Sequence, residues 1–204
     1  MKVESCAKIN LGLHVLNRRA DDFHNIVTIF QEISFADQLT IQQSKKTFFD
    51  TNVDWLDKEN NTCIKAINIL KKQYPDLPNF NLFLQKNIPT NAGLGGGSSN
   101  GTATLKAINK LCDLNLQEEE IKNFSEKISA DSPFFVNGGL QGGEEKGQKL
   151  FPIKSSIVDN YILLVMPDIK VQTSEAFMFI KKYLVKGKTD VKLSQMLEEL
   201  KLNN

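Results

Sequence analysis

Residues 88–99 read Ile-Pro-Thr-Asn-Ala-Gly-Leu-Gly-Gly-Gly-Ser-Ser, and a helical pattern, Thr-Ala-Thr-Leu-Lys-Ala-Ile-Asn-Lys-Leu, starts at Thr102. Gly93, Gly95, Gly96 and Gly97 lack a Cβ, so the backbone N–H groups of this run can come close to a ligand. The helix behind them leaves its first N–H groups unpaired and carries partial positive charge at that end, which favours a phosphate. Ser98 and Ser99 add two hydroxyls for a phosphate oxygen or a metal ion. A flexible loop with a serine cap is the plain alternative. A strand-like segment before the run and a helix after it favour the phosphate cradle. No Gly-Lys-Ser/Thr closes the run, so it is not a Walker A loop, and its glycine spacing is not that of a dinucleotide fingerprint.

Cys6 to Leu16 alternates strictly. The spacing predicts a strand with Ile9, Leu11, Leu13 and Val15 on one buried side. Lys8, Asn10, Gly12 and His14 then share the other side, which by spacing alone reads as a solvated face. Farther along, Asp131 stands in Ile-Ser-Ala-Asp-Ser-Pro-Phe-Phe (128–135), where an isolated aspartate before Ser-Pro reads as a turn.

Taken together these segments resemble the GHMP kinases. Pro89, Ala92, Gly93, Leu94, Gly95, Gly96, Gly97, Ser98 and Ser99 match the family's second motif. Ala7-Lys8-Ile9-Asn10-Leu11 is similar to its first, in which the lysine and asparagine lie in the active site. Residues 129–135 are similar to Gly-Ala-Asp-Val-Pro-Phe-Phe, in which the aspartate is the catalytic base. The resemblance implies ATP-dependent phosphoryl transfer to an alcohol, with ATP and Mg²⁺ as cofactors. Asp131 would take the hydroxyl proton, since an alcohol is too weak an acid to ionise unaided, and Lys8 would hold that carboxylate charged. Within the family, the triple glycine narrows the resemblance to the branch acting on a cytidine diphosphate-linked methylerythritol at its 2-hydroxyl, in isoprenoid precursor synthesis.

That branch places further residues. Phe23 and His24 fall where it has Tyr-His, whose ring stacks on cytosine and whose imidazole bonds the base; Phe23 keeps the π face and loses the hydroxyl. Asn10, Thr173 and Phe177 are the other implied substrate contacts, and Asn61 the implied neighbour of adenine. Thr173 and Phe177 read equally as a helix cap and a core residue, and Asn61 as the cap of a helix. No metal ligand is assigned. Another GHMP kinase, such as homoserine or mevalonate kinase, and a non-catalytic nucleotide-binding chain are the alternatives.

The elements that must position these groups follow from periodicity. Strands are expected at Thr28–Phe35, Gln38–Gln43 and Phe80–Leu84, and a loop from Ser44 to Asn61. A helix is expected from Asn61 to Tyr74, stopped by Pro75, a hairpin around Gly142–Leu150, a strand ending at Val165–Asp168 and a helix opening at Val171–Phe177. The fold class is α+β. The resemblance runs from Ala7 to about Phe177. It implies a GHMP N-terminal domain, ribosomal protein S5 domain 2-like, over residues 1–152, and the start of an incomplete ferredoxin-like domain over 153–204. Nothing after Gly147 resembles the family's third motif. Val191, Leu193, Met196, Leu197 and Leu200 predict an amphipathic helix with an exposed apolar stripe, which either a partner chain covers or the missing strands of a truncated chain would have covered, truncation being favoured.

Composition excludes several other classes. With 204 residues, 41% hydrophobic and 24% charged, the chain is neither disordered nor fibrous. A net charge of +1 without a basic stripe gives no nucleic-acid partner. Cys6, Cys63 and Cys112 are too few and too scattered for a disulfide framework or a zinc site. No apolar run spans a bilayer and no signal peptide is evident, so a cytoplasmic enzyme with a small-molecule substrate is expected. Oligomeric state is not legible.

Overall fold

The computed structural model describes residues 1–154, 161–166 and 192–202. The chain forms β1 (Lys2–Arg18), β2 (His24–Ser44), β3 (Phe48–Thr51), α1 (Thr62–Gln73), β4 (Asn79–Gln85), α2 (Gly96–Leu111), α3 (Glu118–Glu126), α4 (Phe134–Asn137), β5 (Leu140–Glu145), β6 (Lys149–Pro152) and α5 (Leu193–Leu202). Two compact units result. The first comprises Met1–Lys8, Glu32–Thr90 and Leu94–Gly138, the second Ile9–Gln31, Asn91–Gly93 and Gly139–Asn204. Strands β1 and β2 contribute to both.

In the first unit, the second half of β2 pairs antiparallel with β4, with Leu39 opposite Leu84 and Ile41 opposite Leu82. Alternation puts these four side chains on one face, where they are buried with Phe80 against Ala66, Ile67 and Leu70 of α1 and Leu105 and Ile108 of α2. Helix α1 begins where its sequence says: the Asn61 side chain accepts from the N–H groups of Cys63 and Ile64. It ends at Tyr74, just before Pro75.

Three local expectations are corrected here. Strand β2 is continuous instead of two strands, and Asp37, between the two expected strands, is fully buried within it. Its carboxylate pairs with Lys86 Nζ at 2.5 Å and accepts from the N–H groups of Asn87 and Ile88. The polar stretch 44–61 is not all loop. Phe48–Thr51 adds as β3 parallel to β4, a four-residue strand too short to show a period, with Phe49 buried. Helix α2 starts at Gly96, six residues before its apolar pattern, so half of the glycine run is helical.

In the second unit, the first half of β2 pairs antiparallel with β5, from Ile26 opposite Glu145 to Gln31 opposite Leu140. Strands β5 and β6 form the expected hairpin, closed by Gly147 N–H donating to Glu144 C=O at 3.0 Å. Its core is Val27, Ile29 and Met196, with Leu11, Leu16, Leu193 and Leu197 partly buried against them. Leu193, Met196 and Leu197 of the α5 stripe are therefore covered, contrary to expectation: Leu193 packs over Gly142 and Met196 over Gly12, where absent side chains let the helix approach. So small a core does not bury one whole side of β1. Ile9, Leu11 and Val15 are only half-buried and Leu13 is 46% exposed. Residues 161–166 form no strand, and Tyr161, Leu163 and Val165 are exposed. Their alternation finds no hydrogen-bonding partner among the described strands.

Candidate active site

The first unit gathers the ammonium, the carboxylate and most of the glycine run. Lys8 N–H donates to Leu94 C=O at 2.9 Å, fixing the loop's backbone against β1. The lysine side chain then passes beside Gly95, and its Nζ stands 3.4 Å from Asp131 Oδ2. Gly95 is required twice over. Its φ of +68° is left-handed, and a Cβ there would lie 2.8 Å from the ring of Phe135 and 3.1 Å from Lys8 Cγ. A Cβ on Gly96 would meet Ile88 at 2.9 Å and Lys86 Nζ at 3.0 Å. The buried Lys86–Asp37 pair thus lies directly beneath the first residue of α2.

Helix α2 offers the geometry of an anion site. Gly95 caps it with no side-chain hydrogen bond, and the first intrahelical bond runs from Ser99 N–H to Gly95 C=O. The N–H groups of Gly96, Gly97 and Ser98 are those a helix start leaves for a ligand. Thr62 Oγ1 donates to Gly97 C=O at 2.6 Å, tying the turn to α1. Asp131 sits in the turn leading to α4. Thr102 Oγ1 of α2 holds that turn through Ser132 C=O at 2.9 Å, and Phe135 N–H donates to the same carbonyl. Ser129 Oγ donates to Ser98 Oγ at 2.7 Å.

Two residues read from the sequence as ligand contacts are engaged within the protein. Ser99 is 3% exposed, with its hydroxyl 2.8 Å from Ser5 Oγ, so it braces the cradle from behind instead of facing a ligand. The Asn61 amide is fully engaged. It accepts from two backbone N–H groups and donates to Asp57 C=O and Lys58 C=O, so the structure makes it a cap without a spare valence for a base. Beside it, a cavity of about 460 Å³ lies between α1 and α3, lined by Asn60, Ile64, Lys65, Lys72, Phe124 and Lys127. Pro89, Ala92 and Gly93 are exposed and Leu94 is buried. Sequence reasoning missed Phe135, whose ring closes under Gly95, and Thr62; neither shows a pattern distinguishable from core packing or a helix start.

Asn10, Phe23 and His24 belong to the second unit. Asn10 Nδ2 donates to Thr28 Oγ1 at 2.6 Å, and that hydroxyl donates to Gly12 C=O. Phe23 is 52% exposed, with Lys146 Nζ 5.1 Å from its ring centroid. Lys146 also stands 3.5 Å from Asp21, which bonds Arg19. His24 opens β2, half-buried. Thr173 and Phe177 lie outside the described residues. Among the described residues there is no cluster of three His, Cys, Asp or Glu able to hold a metal by itself, and no helix long and apolar enough to cross a membrane.

Comparison with known proteins identifies the family. The profile of the GHMP kinases N terminal domain matches residues 61–139. A 4-diphosphocytidyl-2-C-methyl-D-erythritol kinase from Prochlorococcus marinus (strain MIT 9312) is 36% identical over 212 residues, covering 100% of this chain and 68% of that protein. One from Parabacteroides distasonis is 40% identical over 176 residues, covering 85% of this chain and 65% of that protein. A crystal structure of 4-(cytidine 5'-diphospho)-2C-methyl-D-erythritol kinase superposes with a TM-score of 0.65 at 29% identity, over 75% of this chain and 55% of that one. The Methanococcus jannaschii mevalonate kinase, at 16% identity and a TM-score of 0.57 over 76% of this chain and 56% of that one, shares the fold. The chain thus spans about two thirds of the length of these curated relatives. It is an α+β chain of the GHMP kinases, a family of ATP-using small-molecule kinases, and belongs among them to the 4-diphosphocytidyl-2-C-methyl-D-erythritol kinase family.

Proposed function

We propose that this chain carries the phosphoryl-transfer site of a kinase that phosphorylates the 2-hydroxyl of 4-diphosphocytidyl-2-C-methyl-D-erythritol with ATP, in the cytoplasm. The observation that carries this reading is the Lys8–Asp131 pair, 3.4 Å apart, with Lys8 also bonded to the glycine loop through Leu94 C=O. Residues 1–152 serve as the ATP-binding domain and 153–204 as the opening of a second.

In this reading the N–H groups of Gly96, Gly97 and Ser98 receive the triphosphate. Mg²⁺ would supply charge neutralisation there. Asp131 Oδ2 accepts the proton of the substrate hydroxyl as it attacks. Lys8 keeps Asp131 charged before the reaction and offsets negative charge as it develops. Phe23 stacks on the cytosine ring, and Asn10 and His24 are further substrate contacts. Thr173 and Phe177 remain part of the same proposal.

The test is to incubate the chain with ATP, Mg²⁺ and a panel of alcohols: the cytidyl substrate, homoserine and mevalonate. Phosphorylation of the cytidyl substrate alone supports the reading. Turnover of homoserine or mevalonate instead, or ATP binding with no transfer to any of them, overturns it.

A further inference from the structure

Three serines link the glycine loop to the turn that carries Asp131. Ser129 Oγ donates to Ser98 Oγ at 2.7 Å, Ser132 Oγ lies 2.7 Å from Ser129 Oγ, and Ser132 Oγ is 3.4 Å from Ser98 C=O. Ser129 and Ser132 are also the two positions at which this chain departs from Gly-Ala-Asp-Val-Pro-Phe-Phe. A glycine and a valine in their places supply no hydroxyl.

Counting protons gives this chain of hydroxyls a direction. Each serine has one proton to donate. The Ser132–Ser129 contact is short, whereas 3.4 Å from Ser132 to the Ser98 carbonyl is at the outer limit of a hydrogen bond. The better-bonded arrangement runs Ser132 to Ser129 to Ser98. Ser98 then accepts from Ser129 and keeps its own proton to give away. In the opposite direction Ser98 would spend its proton on Ser129 and have none to give a phosphate oxygen.

We propose that Ser129, oriented by Ser132, is a positioning residue that fixes Ser98 as a hydrogen-bond donor to a nucleotide phosphate oxygen. The proposal rests on the reading of the α2 N-terminus as a triphosphate site. A hydroxyl already held by its neighbour loses less rotational freedom on binding, and aligned hydrogen bonds polarise one another. A hydrogen bond to a charged phosphate is roughly twice as strong as one between neutral groups, so the orientation has a measurable consequence.

Calorimetric titration of ATP into the full chain, in Mg²⁺ buffer and in EDTA, tests this. Ser129→Gly installs the motif residue, Ser129→Ala removes the hydroxyl without adding backbone freedom, Ser129→Thr keeps it, and Ser98→Ala removes the acceptor. Ser129→Gly, Ser129→Ala and Ser98→Ala should each weaken ATP about tenfold in both buffers. Ser129→Thr should stay within about twofold of wild type, and Ser98→Ala/Ser129→Ala within about twofold of Ser98→Ala, because coupled residues are not additive. Wild-type affinity in Ser129→Ala overturns the proposal. So does a loss confined to Mg²⁺ buffer, which makes Ser98 a metal ligand, or losses that multiply in the double variant. A wild-type chain that binds no ATP in either buffer overturns the triphosphate reading itself, and this proposal with it.

Discussion

Lys8 and Asp131 form an ion pair whose two ends differ in exposure: the lysine side chain is 7% exposed and the aspartate 35%. The ammonium is fixed within the protein while the carboxylate opens outward, the arrangement expected of a base that must meet a substrate and a cation that supports it from behind. Asp131→Asn should lower phosphoryl transfer at least about a hundredfold, because the amide cannot accept the proton. ATP affinity should change by no more than about threefold, since the interaction is made only in the transition state. Near-normal kcat in this variant would remove Asp131 from the base role.

Asn61→Ala separates a cap from a nucleotide contact. Loss of the two cap hydrogen bonds should cost about 1 kcal/mol of stability, read from the urea midpoint. ATP affinity should match wild type within about twofold, because the amide has no valence to lose. A tenfold loss of affinity at unchanged stability would restore the adenine contact.

Asp37 and Lys86 are 0% and 3% exposed in their side chains, and Asp37 also holds two backbone N–H groups ahead of the glycine loop. Asp37→Ala leaves an uncompensated buried ammonium beneath Gly96 and should destabilise by about 3–5 kcal/mol. Chemical denaturation measures this. A shift below about 1 kcal/mol would show that the pair is solvated in solution.

Phe23→Ala should raise KM for the cytidyl substrate severalfold more than KM for ATP, because only the former has a base to stack on that ring. Equal effects on both constants would contradict the stacking role.

Burial pushes the Cys63 thiol up to about 12. A thiol raised in the folded state contributes stability that is fully present below its unfolded value near 9 and is lost as pH rises toward 12. Between those limits the unfolded chain sheds a proton that the native state retains. The urea midpoint should therefore fall across that window, less steeply in Cys63→Ala, and iodoacetamide should leave Cys63 unmodified in the native chain at pH 8. Rapid labelling at pH 8 would show that the site opens.

Much of the scaffold was legible in residue order. The 3.6-residue spacing from Ile64 to Leu70 with Asn61 before it and Pro75 after it defines α1, and the alternation of Phe80, Leu82 and Leu84 defines β4. Both signals are local, because burial of one face imprints its period on consecutive residues. The glycine run and the spacing of the motifs likewise identify a GHMP kinase chain without coordinates.

Other features depend on partners far away in sequence. Asp37 falls in the gap between two expected strands and is a buried strand residue because Lys86 neutralises it. Phe48–Thr51 reads as loop and is a strand because β4 offers an edge. Leu193 and Met196 of the α5 stripe read as exposed and are covered because Gly12 and Gly142 leave them room. Ser99 reads as a ligand hydroxyl and is turned inward by Ser5. Residue order supplied the chemical groups, Lys8, Asp131 and the glycines among them. Tertiary structure alone decided which of them face a ligand, because charge compensation, strand pairing and close packing are settled between segments that no local period connects.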